Sequence, residues 1–410
     1  MNISISTKAI TDCLSKTQGI FSKSSKDTIY VYVLLETLID NKNRETEGDL
    51  SEGDLSDETR GKQEDTLKVT VSDSHMTIVM TTTAVRVKEH GSICIKGKKL
   101  LEILRSINTE SVDFMKGDNR TLKIHAGKAK FTIKETREIS AFPQIKLLSE
   151  QNNGISITSQ NIKRMIDETI FSISDDSNRP GLSGANIELT NNDQGYEVVR
   201  VVSTDGNRLS LSEAEYLVGN RSNLSTHKKL LPKGALHELK KLCGNNDNEE
   251  WKIVFGEKEV CFSNENSSFQ FFLLDGDFPE YERVFETLKL KNEFIVDRKI
   301  LLSVFRRVSA VVENKEASVT FRVGGDLSDS QMEITTKDQE LADFKEIISI
   351  EYEGEALEVA FRISYLYDVI NATNCDALRI KLGSNLDPCL VQNTSEGTAK
   401  FIVMPMRVNT

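Results

Sequence analysis

Three stretches that begin alike decide the fold: ISISTKAITDCLSKTQGIFSK from Ile3, ISITSQNIKRMIDETIFSISDD from Ile155 and FIVDRKILLSVFRRVSAVVENK from Phe294. Each opens with a short strand-like pattern, and a Ser, Thr or Asp then stands where a helix N-cap is expected. Apolar residues follow at three- and four-residue steps, as in Leu301 and Phe305. Each stretch therefore predicts a strand followed directly by an amphipathic helix.

The sequence downstream of each stretch repeats a second pattern. Alternating strands lead to a second amphipathic helix, predicted at residues 98–107, 232–243 and 363–372. A strand pair then follows, with turns predicted at Gly117, Gly256 and near Gly383. The order strand, helix, strands, helix, strands occurs three times, so the sequence predicts three copies of one α+β unit.

This repeat divides the chain into three domains at residues 1–150, 151–291 and 292–410. The first contains an acidic stretch at about residues 40–66, with the near-duplicate EGDLSEGDLSDE and few large apolar residues. Such a composition is typical of a solvated loop between two strands. We expect a mobile, dispensable insertion on the outer rim, with a regulatory acidic arm as the alternative.

The composition excludes several classes of protein. The 410 residues contain no apolar run of about 20, and the N-terminus has no secretory pattern. Six scattered cysteines form no CxxC pair, and no histidine stands at metal-ligand spacing. The sequence thus predicts a cytoplasmic chain without a metal site, a disulfide framework or a membrane span.

Positive charge is concentrated in three windows although the net charge is −11. Residues 95–107, 227–242 and 297–308 together hold 13 basic and 3 acidic residues. In the second window, Lys233 and Lys240 share one helix face, whereas the leucines point the other way. A solvated helix face often carries lysine, but three such helices in repeated units favour phosphate contact without base reading.

The sequence gives little support to an enzyme. It contains no P-loop, no dinucleotide-binding glycine motif and no nucleophile elbow. The five histidines have no acidic or cysteine partner at an informative spacing. The acidic pairs at residues 175–176 and 275–277 are typical of turns. We therefore predict no catalytic residue and no cofactor.

Three further motifs point to a family: STDGNRLSL (203–211), GDFPEYERVF (276–285) and VMPMRV (403–408). With the threefold repeat, they closely resemble the bacterial DNA polymerase III beta subunit, the beta sliding clamp family. This resemblance implies an α+β fold of three similar domains, closed as a head-to-tail homodimer ring. Helices would line the ring, and antiparallel sheets would form its outside.

The resemblance also implies a function and partners. The ring would encircle double-stranded DNA without sequence preference and act as a processivity factor in DNA replication, without enzymatic activity. A hydrophobic pocket would bind short peptides of the DNA polymerase III catalytic subunit, the clamp loader complex, and other polymerases and repair proteins. The alternatives are a repeat scaffold that does not bind DNA and an enzyme with a dispersed site.

Site residues are carried over by position. The DNA-facing residues are Lys23, Lys26, Lys98, Lys99, Lys233, Lys240, Lys241, Arg298, Lys299, Arg306 and Arg307. The implied peptide pocket consists of Leu182, Thr204, Gly206, Asn207, Arg208, Leu209, Pro279, Arg283, Val284, Tyr365, Leu386, Pro388, Val403, Met404, Pro405, Met406 and Arg407. The dimer interface would bring Phe131 near Val311 and Val312 of the other chain.

The sequence departs from the family pattern at several of these positions. Asn207 replaces the usual histidine, and Glu282 stands where a basic residue is common. We therefore expect the peptide preference to differ from that of other members.

Overall fold

The computed structural model describes residues 1–22, 28–38, 65–118, 120–134, 136–150, 154–176, 178–220, 228–312, 317–328, 330–337, 343–394 and 398–407. Lys23, Lys26 and nearly all of the predicted acidic loop, residues 39–64, lie outside the described residues. The strands on either side of that loop pair with each other, with Leu38 opposite Thr66. The strands that the sequence predicts on either side of the insertion are therefore present, and the insertion itself stays a prediction.

The elements follow one order in all three repeats. The first contains β1 (Asn2–Ser6), α1 (Thr7–Phe21), β2 (Tyr32–Leu38), β3 (Thr66–Ser72), β4 (Met76–Thr82), β5 (Val85–Glu89), β6 (Ser92–Lys96), α2 (Gly97–Arg105), β7 (Ser111–Gly117), β8 (Thr121–Ala126), β9 (Ala129–Ile133) and β10 (Thr136–Arg137). The second contains β11 (Gly154–Thr158), α3 (Ser159–Thr169), β12 (Gly184–Asn191), β13 (Glu197–Thr204), β14 (Arg208–Glu215), β15 (Leu217–Asn220), β16 (Lys229–Pro232), α4 (Lys233–Leu242), β17 (Glu250–Phe255), β18 (Glu259–Ser263), β19 (Ser267–Phe272) and α5 (Glu282–Glu286). The third contains β20 (Asn292–Asp297), α6 (Arg298–Val311), β21 (Ser318–Val323), β22 (Gln331–Lys337), β23 (Asp343–Ser349), β24 (Glu351–Glu353), β25 (Leu357–Arg362), α7 (Ile363–Ala372), β26 (Ala377–Leu382), β27 (Cys389–Asn393) and β28 (Ala399–Val403). The predicted threefold order is thus confirmed.

The predicted N-caps form at the first helix of each repeat. Ser6 Oγ accepts a hydrogen bond from the Ala9 amide at 3.4 Å, and Thr158 Oγ1 accepts one from the Asn161 amide at 3.3 Å. Asp297 Oδ1 accepts from the Ile300 amide at 2.9 Å. Each cap satisfies one of the amides that a helix N-terminus leaves without an intrahelical partner, so all three helices begin where the sequence indicates.

The chain divides into two compact units. The first holds Met1–Ser156, Val218–Ser222 and His237–Phe272, with sheets ordered β5-β1-β7-β8-β9 and β10-β6-β2-β3-β4-β19-β18-β17-β11-β15. The second holds Ile157–Leu217, Asn223–Leu236 and Leu273–Thr410, with sheets ordered β16-β12-β13-β14-β28-β27-β26-β20-β24 and β23-β22-β21-β25.

Two of these sheets run across the predicted domain boundaries. In the first unit, β4 pairs antiparallel with β19 and places Ile78 opposite Phe269. In the second unit, β14 pairs antiparallel with β28 and places Ser210 opposite Phe401. Successive repeats are therefore joined edge to edge by backbone hydrogen bonds, and the domain boundaries drawn from the repeat stay a prediction.

The last long strand of each repeat carries a phenylalanine at an equivalent position. Phe131 pairs with Ile124 in β8, as Phe401 pairs with Val391 in β27. Phe269 and Phe401 lie in the joints between repeats and are both 0% exposed. Phe131 remains partly exposed because β9 is the edge of its sheet.

The six cysteines are all present as thiols, without a disulfide. Burial raises the pKa of the Cys13 thiol to about 11 and that of Cys94 to about 12, so both stay protonated at neutral pH. Within the described part of the chain, the structure has no helix with the length and apolar composition needed to span a bilayer.

Candidate functional site

Helix α2 presents a basic face to solvent. Lys98 and Lys99 are exposed, whereas Leu100 and Leu104 are buried in the core. The Lys99 ammonium lies 3.8 Å from the carboxylate of Glu102, at a distance and exposure that give a weak ion pair. The amphipathic division predicted for this helix is therefore present.

Helix α4 has the same division, and ion pairs engage Lys233 and Lys241. Leu236 and Leu239 are buried, and Lys240 is exposed. Lys241 lies 3.1 Å from the carboxylate of Glu238 on the same helix. At the start of the helix, the Lys233 ammonium lies 2.7 Å from a carboxylate oxygen of Asp175.

Helix α6 separates its four basic residues into two kinds. Lys299 and Arg306 are exposed and form no ion pair within the described part of the chain. Arg298 donates from Nε to the Ile370 carbonyl at the end of α7, at 2.8 Å. Arg307 forms a bidentate pair with Glu346 on β23, at 2.9 and 2.6 Å. The sequence placed all four together because it does not reveal partners on other elements.

The predicted peptide pocket lies within the second unit, around the turn between β13 and β14. Asp205 Oδ1 accepts hydrogen bonds from the amides of Asn207 and Arg208, at 2.9 and 3.0 Å. Gly206 has φ +92°, in the left-handed region that favours glycine. A Cβ there would lie 3.3 Å from Arg179 Nη1, so glycine also leaves room for that guanidinium.

The segment after β28 lies beside the same turn, and we call the surface around this turn, Met404 and Leu386 the groove. The Met404 amide donates to the Asn207 carbonyl at 2.9 Å, and the Met406 amide donates to the Ala360 carbonyl at 2.7 Å. Met404 is 39% exposed, and Leu386, in the connection between β26 and β27, is 65% exposed. These apolar side chains are exposed to solvent and are therefore available to a ligand.

Arg208 supports the groove from inside the protein, through two carboxylates and two aromatic rings. Its Nε donates to Asp205 Oδ2 at 3.0 Å, and its Nη1 donates to Asp368 Oδ2 at 2.6 Å. The guanidinium also lies over the rings of Tyr365, at 4.5 Å, and Phe171, at 5.2 Å. The side chain is only 11% exposed. Its donors are thus directed into the protein, so this member of the implied peptide pocket serves carboxylates of its own chain.

The segment before α5 is anchored by Tyr281. This ring is buried, and its hydroxyl donates to Glu188 and accepts from Arg200. Burial, followed by the bond to Glu188, raises the pKa of Tyr281 well above its usual value. Burial opposes ionisation of Glu282 on α5, but the ammonium of Lys228, 2.8 Å away, outweighs it and lowers the pKa of that carboxyl. The Tyr281 amide donates to the Pro279 carbonyl at 2.8 Å, so Pro279 lies beside this anchor.

The predicted pocket residues divide by burial. Thr204, Leu209 and Val403 are buried and support the groove from the core. The partly buried members are Leu182, Arg208, Val284, Tyr365, Pro388, Pro405 and Met406. The exposed members are Gly206, Asn207, Pro279, Arg283, Leu386, Met404 and Arg407.

Three residues of this region were missed by the sequence reasoning. Arg179 lies beside Gly206, Phe171 lies under Arg208, and Asp368 forms an ion pair with Arg208. All three are far from residue 206 or 208 in the sequence, and no local motif marks them. Phe171 and Arg179 lie in the connection between α3 and β12, and Asp368 lies on α7, so only tertiary packing brings them to the β13–β14 turn.

Comparison with known proteins identifies successive parts of one family. The model of the DNA polymerase III beta subunit N-terminal domain matches residues 61–146. The models of the central and C-terminal domains match residues 156–280 and 287–407. The three matches follow one another in the order of the family and together span most of the chain.

Individual relatives agree with these matches. The beta sliding clamp of Haemophilus influenzae is 27% identical over 344 residues, covering 83% of this chain and 89% of the relative. That of Escherichia coli K12 is 26% identical over 345 residues, covering 84% and 89%. The crystal structure of the Streptococcus pyogenes beta subunit aligns over 100% of both chains with a TM-score of 0.83 at 19% identity. The last likeness supports the fold.

The repeat, the basic helix faces and the matches in order define a sliding clamp, a class of non-catalytic processivity factors. The chain belongs to the bacterial DNA polymerase III beta subunit family. The predicted fold class and function are thereby confirmed, and the alternatives of a scaffold without DNA and of an enzyme are set aside.

We expect Arg208→Ala to lower the free energy of unfolding by about 2–3 kcal/mol, because it removes an almost buried charge from two carboxylates. Arg208→Lys should recover only part of this stability, since lysine lacks the planar fork that both carboxylates use. Urea denaturation measures both variants.

Arg283→Ala is the matched control. This arginine is 77% exposed and pairs with Glu280 in solvent, so its removal should cost less than about 0.5 kcal/mol. Equal effects of the Arg208 and Arg283 substitutions would contradict the assignment of Arg208 as the support of the groove.

Proposed function

We propose that two copies of this sliding clamp close head to tail into a ring around duplex DNA, and that the groove beside Met404 tethers the replicative polymerase and other partners. The observation that carries this proposal is the repeated edge-to-edge joint. Each joint within the chain pairs the third strand after a repeat's first helix, as β4 is, with the last long strand of the next repeat, as β19 is. One strand of each kind is left at a sheet edge.

The two remaining strands are β9 and β23. By element order and register, β9 is equivalent to β19 and β28, and β23 is equivalent to β4 and β14. Both stand at the edge of their sheets, where one row of backbone groups has no strand partner among the described strands. A second copy supplies the complementary edge at both places, so a closed C2 pairing uses each joint twice.

The register of the internal joints predicts the register of the joint between copies. Phe269 lies opposite Ile78, and Phe401 lies opposite Ser210. The position on β23 equivalent to Ile78 is Phe344, which is partly buried against the core of its own repeat. Phe131 of one copy should therefore lie opposite Phe344 of the other, and aromatic cross-strand pairs stabilise such a joint.

Val311 and Val312 stay a prediction for the same joint. Val311 ends α6, and Val312 packs partly against the third-repeat core. Both are half-buried in the single chain, so a second copy has apolar surface left to cover.

Phe131→Asp and Phe344→Asp should each convert the dimer into a monomer, because each places a carboxylate in both joints. Light scattering at micromolar concentration measures the mass. Leu290→Asp, which changes another partly exposed apolar residue, should leave the dimer intact. Mixing the two monomeric variants should restore a weaker dimer, since one of its two joints is then unaltered. Persistence of the dimer in either single variant would show that the joint lies elsewhere.

DNA contact is proposed for the exposed basic residues of α2, α4 and α6. Lys98, Lys240, Lys299 and Arg306 have side chains in solvent. Arg298 and Arg307 already serve carbonyls and a carboxylate of the same chain, so we assign them a smaller share. Lysine and arginine on helix faces bind phosphates without reading bases, as a protein that slides along DNA requires.

The wild-type clamp, placed by its loader on nicked circular DNA, should co-elute with the circle and dissociate once the DNA is cut into a linear form. Lys299→Glu with Arg306→Glu should shorten its retention and reduce the slope of log K against log salt by about 0.9 for each phosphate that is no longer neutralised. Lys88→Glu with Lys258→Glu, on a strand and in a turn, is the control of equal charge and should retain the wild-type slope. Indistinguishable slopes for both pairs would remove α6 from the DNA-facing surface.

Partner binding is proposed for the groove around Met404 and Leu386. The exposed methionine and leucine suit apolar peptide anchors, and methionine adapts to anchors of different shape. The DNA polymerase III catalytic subunit, the clamp loader complex, and other polymerases and repair proteins are the proposed partners, each through a short peptide with a glutamine and apolar anchors.

Met404→Ala should weaken the binding of such a pentapeptide by roughly tenfold, because truncation removes apolar area that the peptide would cover. Leu386→Ala should act similarly. Leu290→Ala serves as the control on another exposed leucine, and fluorescence anisotropy of a labelled pentapeptide gives the affinities. Unchanged affinity in both groove variants would move the peptide site away from this groove.

A further inference from the structure

The first unit contains a cavity of about 210 Å³ at the joint between the first two repeats. Its lining residues are Tyr30, Ser72, Asp73, Ser74, His75, Met76, Thr77, Pro143, Ile145, Glu259, Gln270, Phe271 and Phe272. The volume is below the usual range for small-molecule sites and fits one large side chain. Phe272 is 49% exposed at its edge, so an apolar surface continues out of the cavity.

The turn at this cavity has the hydrogen bonds of the turn at the proposed peptide groove. Asp73 Oδ1 accepts from the amides of His75 and Met76, at 2.7 and 2.6 Å. These bonds match those that Asp205 accepts from residues 207 and 208. The Phe272 amide donates to the His75 carbonyl at 3.0 Å, just as the Met404 amide donates to residue 207.

The other residues that line the cavity also have counterparts in the Met404 groove. Tyr30 stands two residues before β2, as Leu182 stands two residues before β12, and both lie in a short 3-10 turn. Pro143 follows a phenylalanine in AFPQ, as Pro279 does in DFPE. Glu259 begins β18 opposite Phe272, at the position that Pro388 holds beside β27. The joint of the first two repeats thus reproduces the plan of the groove.

The charges of the two sites differ. The groove of the second unit has Arg179 and Arg208 beside its turn. The cavity of the first unit is lined by two carboxylates and one imidazole, and the lining residues that the structure describes include no lysine or arginine. Gln270 is held in place, since it donates to Glu259 at 2.8 Å and accepts from the Leu148 amide at 2.7 Å. The acidic lining therefore favours a cationic ligand.

We propose that this cavity is a second peptide-binding site, which takes a segment with a leucine or phenylalanine anchor next to a lysine or arginine. The anchor fills the space between Tyr30, Met76 and Phe272, and the basic side chain lies against Glu259. The inference rests on the proposed function of the Met404 groove for its ligand class. The selectivity for basic peptides follows from the carboxylates of the cavity itself.

The test measures anisotropy of fluorescein-labelled Gly-Arg-Leu-Phe-Arg-amide with the full-length clamp at low salt, and of Gly-Glu-Leu-Phe-Glu-amide as the charge-reversed probe. The basic peptide should bind at least tenfold more tightly than the acidic one. Phe272→Ala should weaken the basic peptide at least fivefold, and Glu259→Gln should weaken it about threefold. Met404→Ala should leave this binding unchanged.

The two sites are separated by the reverse experiment with the glutamine pentapeptide, which should respond to Met404→Ala and not to Phe272→Ala. If the basic peptide responds to Met404→Ala instead, it occupies the Met404 groove and the second site is refuted. Wild-type affinity in both Phe272→Ala and Glu259→Gln also refutes it. If the pentapeptide fails to bind while the basic peptide depends on Phe272, the proposed function of the groove fails and the second site stands. Should Phe272→Ala unfold, His75→Ala at an exposed lining position takes its place, with the same expected loss of basic-peptide binding.

Discussion

A strand at the edge of a sheet leaves a row of backbone amides and carbonyls without partners, and this constraint governs how the repeats are joined. In the first unit β19 satisfies the edge of β4, and in the second unit β28 satisfies the edge of β14. The phenylalanine at the centre of each joint is fully buried as a result. Two strands of the same types, β9 and β23, end their sheets without such a partner among the described strands. The internal repeat thereby supports the proposed pairing with a second copy.

Repetition also explains why the same local chemistry occurs twice. A turn closed by an aspartate precedes each joining strand, and the strand from the next repeat donates one amide back to it. The backbone plan is fixed by the joint, so side chains on the turn are free to diverge. Arg208 and Met76 occupy equivalent positions, as do Pro388 and Glu259, so the two turns differ in the charges around them.

The charge that the helices present to solvent depends on ion pairs with other elements as much as on position along the helix. Arg306 and Arg307 are neighbours on α6, yet one is in solvent and the other is held by Glu346 of β23. A guanidinium that already forms an ion pair binds a DNA phosphate less strongly, because its charge is partly neutralised. The basic faces seen in the sequence therefore overstate the unpaired charge that the proposed DNA-facing surface offers.

The sequence by itself determined the threefold order of elements, the three N-caps and the burial of the leucines in α2 and α4. These depend on local spacing, which fixes which face of a helix is apolar and where its first amides find acceptors. It also determined the family, through three motifs in order. Only the tertiary structure showed that the sheets run across the repeats, that Arg208 faces inward to Asp368, and that Arg179 lies beside Gly206. Those contacts join residues far apart in the chain, and their geometry follows from strand register and helix packing, which no local pattern encodes.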